Sequence, residues 1–265
     1  MLTVGLIYTW GDVIYPADQL KAWLDAGAFT HLCIVGDMST KGMLGTVANL
    51  PAGLPFVLQP SPVCVTAATQ VPTWYPQHMA ALKALAKSNP NFVGFVGTHE
   101  DGSLAPGVDL YAAKLSGWCL ALGIEPIFMS GNASQDALAD KCGGSLWAEF
   151  VVGGLNDPAQ GGAADGTGWP DAVFADALAK QKLRLTGRKI PGPMDCLQAQ
   201  MSWSQKFDPK VIGWYGCPVT KARWKQVLTL TQGFGLVTFQ LASGDNFWTL
   251  SDKPDFMAGL WWMRS

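Results

Sequence analysis

Short apolar runs alternate with segments of helical spacing along most of the chain. The apolar runs are continuous, which is typical of strands covered on both faces in a parallel sheet. One intervening segment is Asp109–Gly123. Its residues Leu115, Trp118 and Leu122 share one face of a helix, and its closing glycine marks the predicted end. The runs that predict strands are Leu2–Tyr8, His31–Val35, Pro55–Leu58, Phe92–Gly97, Pro126–Met129, Leu146–Val152, Lys189–Met194, Val211–Tyr215 and Val237–Leu241.

This alternation predicts an α/β protein. About eight βα units in some 250 residues match the size of a TIM barrel, so we predict a (β/α)8 TIM-barrel-like single domain over residues 1–265. The nine runs are one more than the eight strands of such a barrel. Either Lys189–Met194, which contains two prolines, is irregular, or one short run is an embellishment. An open doubly wound sheet also fits, but a phosphate-binding glycine loop does not follow the first run. The other predicted helices are Pro76–Ser88, Asp171–Thr186, Thr220–Gln232 and Lys253–Met263.

Composition narrows the classes of partner. Only 14% of residues are charged, the net charge is −2, and Lys and Arg do not cluster, which argues against nucleic acid or an anionic membrane as partner. No run reaches the roughly 18 apolar residues of a membrane span. The first residues do not resemble a signal peptide, so we expect a soluble protein that is cytoplasmic, virion-associated, or secreted with its leader removed. Six cysteines without CxxC pairing favour a reducing compartment, although a disulfide stays open.

The stretch NPNFVGFVGTHEDG, residues 89–102, combines a predicted strand with three titratable groups at its end. Pro90, Val93, Gly94, Phe95 and Glu100 match in step the fourth-strand pattern of TIM-barrel glycoside hydrolases, which the stretch resembles. The resemblance covers about thirteen residues. It implies a (β/α)8 fold, a sugar substrate, and the role of general acid/base for the glutamate.

Glycosidic cleavage needs a second carboxyl group, which acts as nucleophile or base. The chain has only three glutamates, and Glu125 precedes a predicted strand and so lies at the wrong end of it. We consider Asp195, Glu149 and Asp101, in that order. The end of the seventh strand would hold Asp195 or, in the other strand count, Cys217. Glu149 lies inside an apolar strand, where it either faces a polar cleft or pairs with a Lys, Arg or Trp N–H.

Aromatic and polar residues near predicted strand ends complete the candidate site. Flat rings can stack on the C–H face of a sugar, while neighbouring polar groups bind its hydroxyls. Several of these side chains also have a purely structural interpretation. Asp often caps helices, and Trp214 lies within a predicted strand, where core packing explains it. The candidate substrate-binding residues are Trp10, Asp37, His99, Trp169, Trp214, Tyr215, Asp245 and Trp248.

Other chemistries lack their motifs. The sequence contains no HExxH, HxH, GxSxG, P-loop or Rossmann fingerprint, so we predict neither a metal nor a cofactor. We therefore predict a glycoside hydrolase that cleaves a poly- or oligosaccharide with Glu100 as proton donor. The alternative is a catalytically silent barrel that binds carbohydrate or serves as a structural part, for example of a phage particle. A third possibility is an enzyme that uses Glu100 as a base on a non-sugar substrate.

Overall fold

The fold is an all-parallel sheet with helices on its outside. The computed structural model describes residues 2–9, 12–25, 29–36, 41–60, 80–98, 108–131, 133–151, 170–200 and 235–243. The strands are β1 (Thr3–Tyr8), β2 (His31–Gly36), β3 (Phe56–Pro60), β4 (Phe92–Thr98), β5 (Glu125–Ser130), β6 (Ser145–Val151), β7 (Cys196–Gln200) and β8 (Gly235–Ser243).

Within the described ranges, six helices lie between these strands. They are α1 (Ala17–Asp25), α2 (Lys41–Ala48), α3 (residues 80–88), α4 (Val108–Ala121), α5 (Ala133–Cys142) and α6 (Asp171–Thr186). The predicted ends of α4 and α6 are confirmed within two residues. Gly123, just after α4, has a φ of 71°, the left-handed conformation that favours glycine at a helix end. The helices predicted over Thr220–Gln232 and Lys253–Met263 lie outside the described residues.

The strands pair in chain order. Each strand from β1 to β7 pairs in parallel with the next, and β1 also pairs with β8, so the pairing closes into a ring. Parallel neighbours bring their carboxyl ends to one edge of the sheet and their amino ends to the other. This leaves two distinct ends at which polar residues gather.

The predicted (β/α)8 domain needs correction. Such a domain has a helix after each of its eight strands. Within the ranges that the structure describes, helices follow only the first six strands, β1 to β6. The described fold is therefore an all-parallel α/β sheet with six helices, and not a set of eight βα units.

One predicted strand is wrong. Lys189–Met194 forms turns, because Pro191 and Pro193 lack the N–H groups that a ladder needs, and β7 begins two residues later at Cys196. The predicted strand Val211–Tyr215 lies outside the described residues. The other seven predicted runs all coincide with observed strands, with ends that differ by up to two residues.

The outer face of the sheet packs closely on the helices. Phe95 of β4 meets Trp118 of α4 edge-on, with ring centroids 5.6 Å apart. A Cβ added at Gly97 would stand 1.6 Å from a Leu115 methyl carbon, so this position has no room for a side chain. Phe95 and Gly97 thus face α4, whereas Gly94, which is in register with Val57, faces the other side of the sheet.

Candidate functional site at the carboxyl ends of the strands

The inner face of the sheet can be traced from one long-range contact. Gln59 of β3 donates a hydrogen bond from Nε2 to the Met129 sulfur of β5, at 3.1 Å, although β4 lies between these strands. Both side chains must therefore project to the same, concave side. We call this side the inner face, and define it by Gln59, Met129 and the residues that share their orientation.

Strand register extends this face to β6 and β7. Met129 is in register with Trp147, and Glu149, two residues further along β6, points to the same side because strand side chains alternate. Glu149 is in register with Gln198 of β7. The inner face near the carboxyl ends therefore carries Gln59, Glu149 and Gln198, which are three polar residues from three strands.

Below these residues the inner face is tightly packed. A Cβ added at Gly94 would lie 2.8 Å from Ile127, 3.1 Å from Val57 and 3.3 Å from the Met194 sulfur. The Trp147 indole N–H donates to the Met194 carbonyl oxygen at 3.1 Å, so this large ring is both buried and hydrogen-bonded. The packed layer separates the polar inner face from the amino ends of the strands.

The side-chain amides of Gln59 and Gln198 on the inner face have few or weak hydrogen-bond partners among the described residues. Gln198 is 2% exposed, and its Oε1 has no hydrogen-bond partner within the described part of the chain. Gln59 is 8% exposed, and its hydrogen-bond partners among the described residues are two sulfur atoms, those of Met129 and, at 3.9 Å, Cys33. Sulfur is a weak hydrogen-bonding group compared with oxygen or nitrogen. These amides retain capacity for stronger partners.

Asp195 is placed differently from the prediction. It directly precedes β7, and so lies at the amino end of that strand and not at the carboxyl end. Its carboxylate is bound by the Arg188 guanidinium and by the backbone N–H of Leu146 and Gly192, at 2.7 and 3.0 Å. Burial raises the pKa of Asp195 above its ordinary value, while these donors oppose the shift. This arrangement removes the reason for choosing it as second carboxylate.

Asp195 belongs to a larger group of bonded side chains, which we call the amino-end cluster: Arg188, Asp195, Asp140, Glu125 and Ser145. The Arg188 side chain is 1% exposed and also contacts Asp140, at 3.0 Å, and the Gly144 carbonyl oxygen, at 2.7 Å. Ser145 donates to Glu125 at 2.6 Å. Burial is the main cause of a raised Glu125 pKa. The cluster joins the starts of β5, β6 and β7 to the ends of α5 and α6.

Of the two predicted catalytic carboxylates within the described residues, Glu149 lies on the inner face and Asp195 does not. Glu149 is half-buried, and engages in interactions beyond its strand pairing. Sequence reasoning missed Gln59 and Gln198, because a neutral amide in an apolar run has no titratable signature. The remaining predicted site residues lie outside the described residues: Trp10, Asp37, His99, Glu100, Asp101, Trp169, Trp214, Tyr215, Asp245 and Trp248.

Comparison with known protein families and with curated proteins finds no match for this chain. Among the described residues, no group of three or more His, Cys, Asp or Glu side chains is arranged to hold a metal ion. No helix in the described ranges is both long and apolar enough to cross a membrane. The functional argument therefore depends on the site itself.

Proposed function

We propose that this protein is a glycoside hydrolase with Glu100 as its proton donor. The observation that carries the proposal is the position of Glu100 in the sequence relative to the end of β4. β4 ends at Thr98, two residues before Glu100 in sequence, and the carboxyl ends of parallel strands are where such enzymes collect their reacting groups. His99 and Asp101 flank the proposed donor.

Other predicted site residues follow strand ends in the same way. Trp10 comes two residues after β1, Asp37 directly after β2, and Asp245 two residues after β8. These three strands are neighbours in the sheet, and their carboxyl ends share one edge with that of β4. We propose that these residues bind the sugar, together with Trp169, Trp214, Tyr215 and Trp248.

Glu149 is the best second carboxylate. It faces the inner side near the carboxyl end of β6, whereas Asp195 is bound to Arg188 at the opposite end of the sheet. Asp101 ranks after Glu149. Whether Glu149 acts as nucleophile or base follows from its distance to Glu100: about 5–5.5 Å for a retaining enzyme and about 6.5–9.5 Å for an inverting one.

The three glutamates of the chain allow a matched test. The wild type should release product from at least one substrate in a screen of chromogenic glycosides and plain polysaccharides. Glu100→Gln should lower kcat by roughly 100-fold or more, because a general acid typically contributes that much. Glu149→Gln should also lower kcat, and Glu125→Gln, at the amino end, should leave kcat unchanged. Full activity of Glu100→Gln would refute the assignment.

A second candidate is a catalytically silent protein that binds carbohydrate or serves as a structural part. The involvement of Asp195 in the amino-end cluster favours it, since this leaves fewer carboxylates free for catalysis. Under this alternative the wild type binds oligosaccharides without cleaving them, and Glu100→Gln binds with unchanged affinity. Hydrolysis lost in Glu100→Gln would exclude it.

A further inference from the structure

The Gln198 amide is an unusual group to find in the interior of a sheet. It is 2% exposed, and its oxygen has no hydrogen-bond partner within the described residues. Buried polar groups almost always have partners, so an exception on a functional face calls for an explanation. Its register with Glu149 sets it on the inner face near the proposed reaction centre.

Two other buried polar atoms are unpartnered in the described structure, and both differ from Gln198 in position. Ser116 and Trp118 lie on α4, outside the sheet. A helical serine can turn its hydroxyl toward a carbonyl of the preceding turn, and Trp118 packs on Phe95. Among the described residues, Gln198 is the one such group that faces the inner side.

Gln59 adds a second amide to the same face. Its described partners are the sulfurs of Met129 and Cys33, which a hydroxyl group could replace with a stronger hydrogen bond. An amide offers both an acceptor oxygen and a donor nitrogen, as a hydroxyl offers both a donor and an acceptor. Two amides from β3 and β7 can therefore bind a ligand through several hydroxyls.

The charge of the inner face limits the ligand further. The described strand positions that alternate onto it beside Gln59 and Gln198 carry no Lys or Arg, and Glu149 is acidic. The described part of this face, which has no cation, is poorly suited to sulfated or carboxylated sugars. We propose that Gln59 and Gln198 are ligand-binding residues, and that they recognise an uncharged, hydroxyl-rich saccharide. This inference rests on the carboxyl-end site of the proposed function, but does not require hydrolysis.

Gln198→Met tests the proposal, because methionine keeps the length and removes the hydrogen bonds. The probes are maltohexaose, cellohexaose, xylohexaose and chitohexaose, with a heparin hexasaccharide as anionic counterpart, measured by calorimetry. The wild type should bind at least one neutral hexasaccharide and not the heparin fragment. Gln198→Met should bind it about tenfold more weakly or worse. Its Tm should stay the same or rise, since no described bond of the amide oxygen is lost.

Gln181→Met is the matched control. Gln181 lies on α6 and accepts a hydrogen bond from Arg184, so its replacement should leave affinity unchanged. Gln59→Met should weaken binding in the same direction as Gln198→Met. Equal affinity of Gln198→Met and wild type would overturn the proposal. So would a Tm that falls together with the affinity, binding of the heparin fragment alone, or no binding of any neutral hexasaccharide.

These results are separable from those of the proposed function. Neutral hexasaccharide binding that depends on Gln198, without turnover, would sustain this inference and contradict the enzyme. Turnover that depends on Glu100, with unchanged KM and affinity in Gln198→Met, would do the opposite.

Discussion

The two ends of the sheet treat buried polar groups in opposite ways. At the amino end, Arg188 is bonded to Asp195, Asp140 and the Gly144 carbonyl, and Ser145 bonds Glu125. Near the carboxyl end, the Gln198 oxygen has no partner within the described residues. Charged groups are satisfied at one end, and neutral amides keep unused capacity at the other.

This difference separates stability from function. A fully satisfied buried network holds its elements in one arrangement, since breaking any bond leaves a charge or dipole unpaired. Unsatisfied groups cost stability, and functional sites are one place where proteins accept that cost. The amino-end cluster therefore holds β5 to β7 together, while the inner face near the carboxyl ends carries the amides that we propose for binding.

The largest expected effect is the loss of Arg188. Arg188→Met should lower the free energy of unfolding by about 3–5 kcal/mol, because it leaves the buried Asp195 carboxylate without its cation. Urea unfolding at pH 7 measures the change. The control is Lys180→Met, which removes an exposed pair with Asp176 and should cost about 0–0.5 kcal/mol. Similar losses in both variants would contradict a special role for the cluster.

Asp195→Asn should have a smaller effect. The variant keeps the shape of the side chain and one acceptor oxygen, and Arg188 retains Asp140 as a partner. We expect a loss of about 1–3 kcal/mol in the free energy of unfolding, the usual cost of leaving a buried hydrogen-bonding group unsatisfied. Thermal and urea unfolding against wild type measure it. A variant as stable as wild type would show that the Asp195 bonds do not hold β6 and β7.

The smallest effect concerns pH. Burial raises the Glu125 pKa above its ordinary value of 4.5 in the folded protein. The folded state therefore binds a proton more tightly than the unfolded state, and this contribution to stability is fully present below pH 4.5 and is lost as pH rises through the raised pKa. The stability difference between wild type and Glu125→Gln should thus favour wild type more at pH 4.5 than at pH 7.

Taking the difference in the free energy of unfolding between wild type and Glu125→Gln cancels the contributions of the other titrating groups. Burial lowers the pKa of His31. The contribution of His31 to stability therefore decreases as pH falls, and it decreases equally in both proteins. Urea unfolding at pH 4.5, 5.5 and 7 provides the comparison. A difference that is constant across this range would show that Glu125 does not titrate differently on folding.

Strands were easier to predict than their exact limits. Continuous apolar runs such as His31–Val35 have one physical explanation, burial on both faces, and β2 follows the run closely. The run Lys189–Met194 was wrongly predicted as a strand because of its apolar residues, although Pro191 and Pro193 disfavour a strand there. β7 was missed because Gln198 and Gln200 interrupt its apolar pattern in the sequence, and Gln198 is polar at a position that faces the inner side.

The candidate site was less predictable from the sequence. Glu149 was expected to face a polar cleft or to be paired, and strand register sets it beside Gln198 on the inner face. Asp195 looked like a residue at a strand end, because the end of Lys189–Met194 was mistaken for the carboxyl end of a strand. A shift of one strand boundary reverses the end of the sheet at which a residue lies. Sequence pattern does not resolve such shifts.

The most direct test of this division compares kcat for Glu100→Gln and Asp195→Asn on a substrate that the wild type cleaves. Both variants would be assayed at a temperature where unfolding curves show them fully folded. We predict a loss of roughly 100-fold or more for Glu100→Gln and a kcat within about twofold of wild type for Asp195→Asn. A kcat that falls in Asp195→Asn and survives in Glu100→Gln would contradict the account.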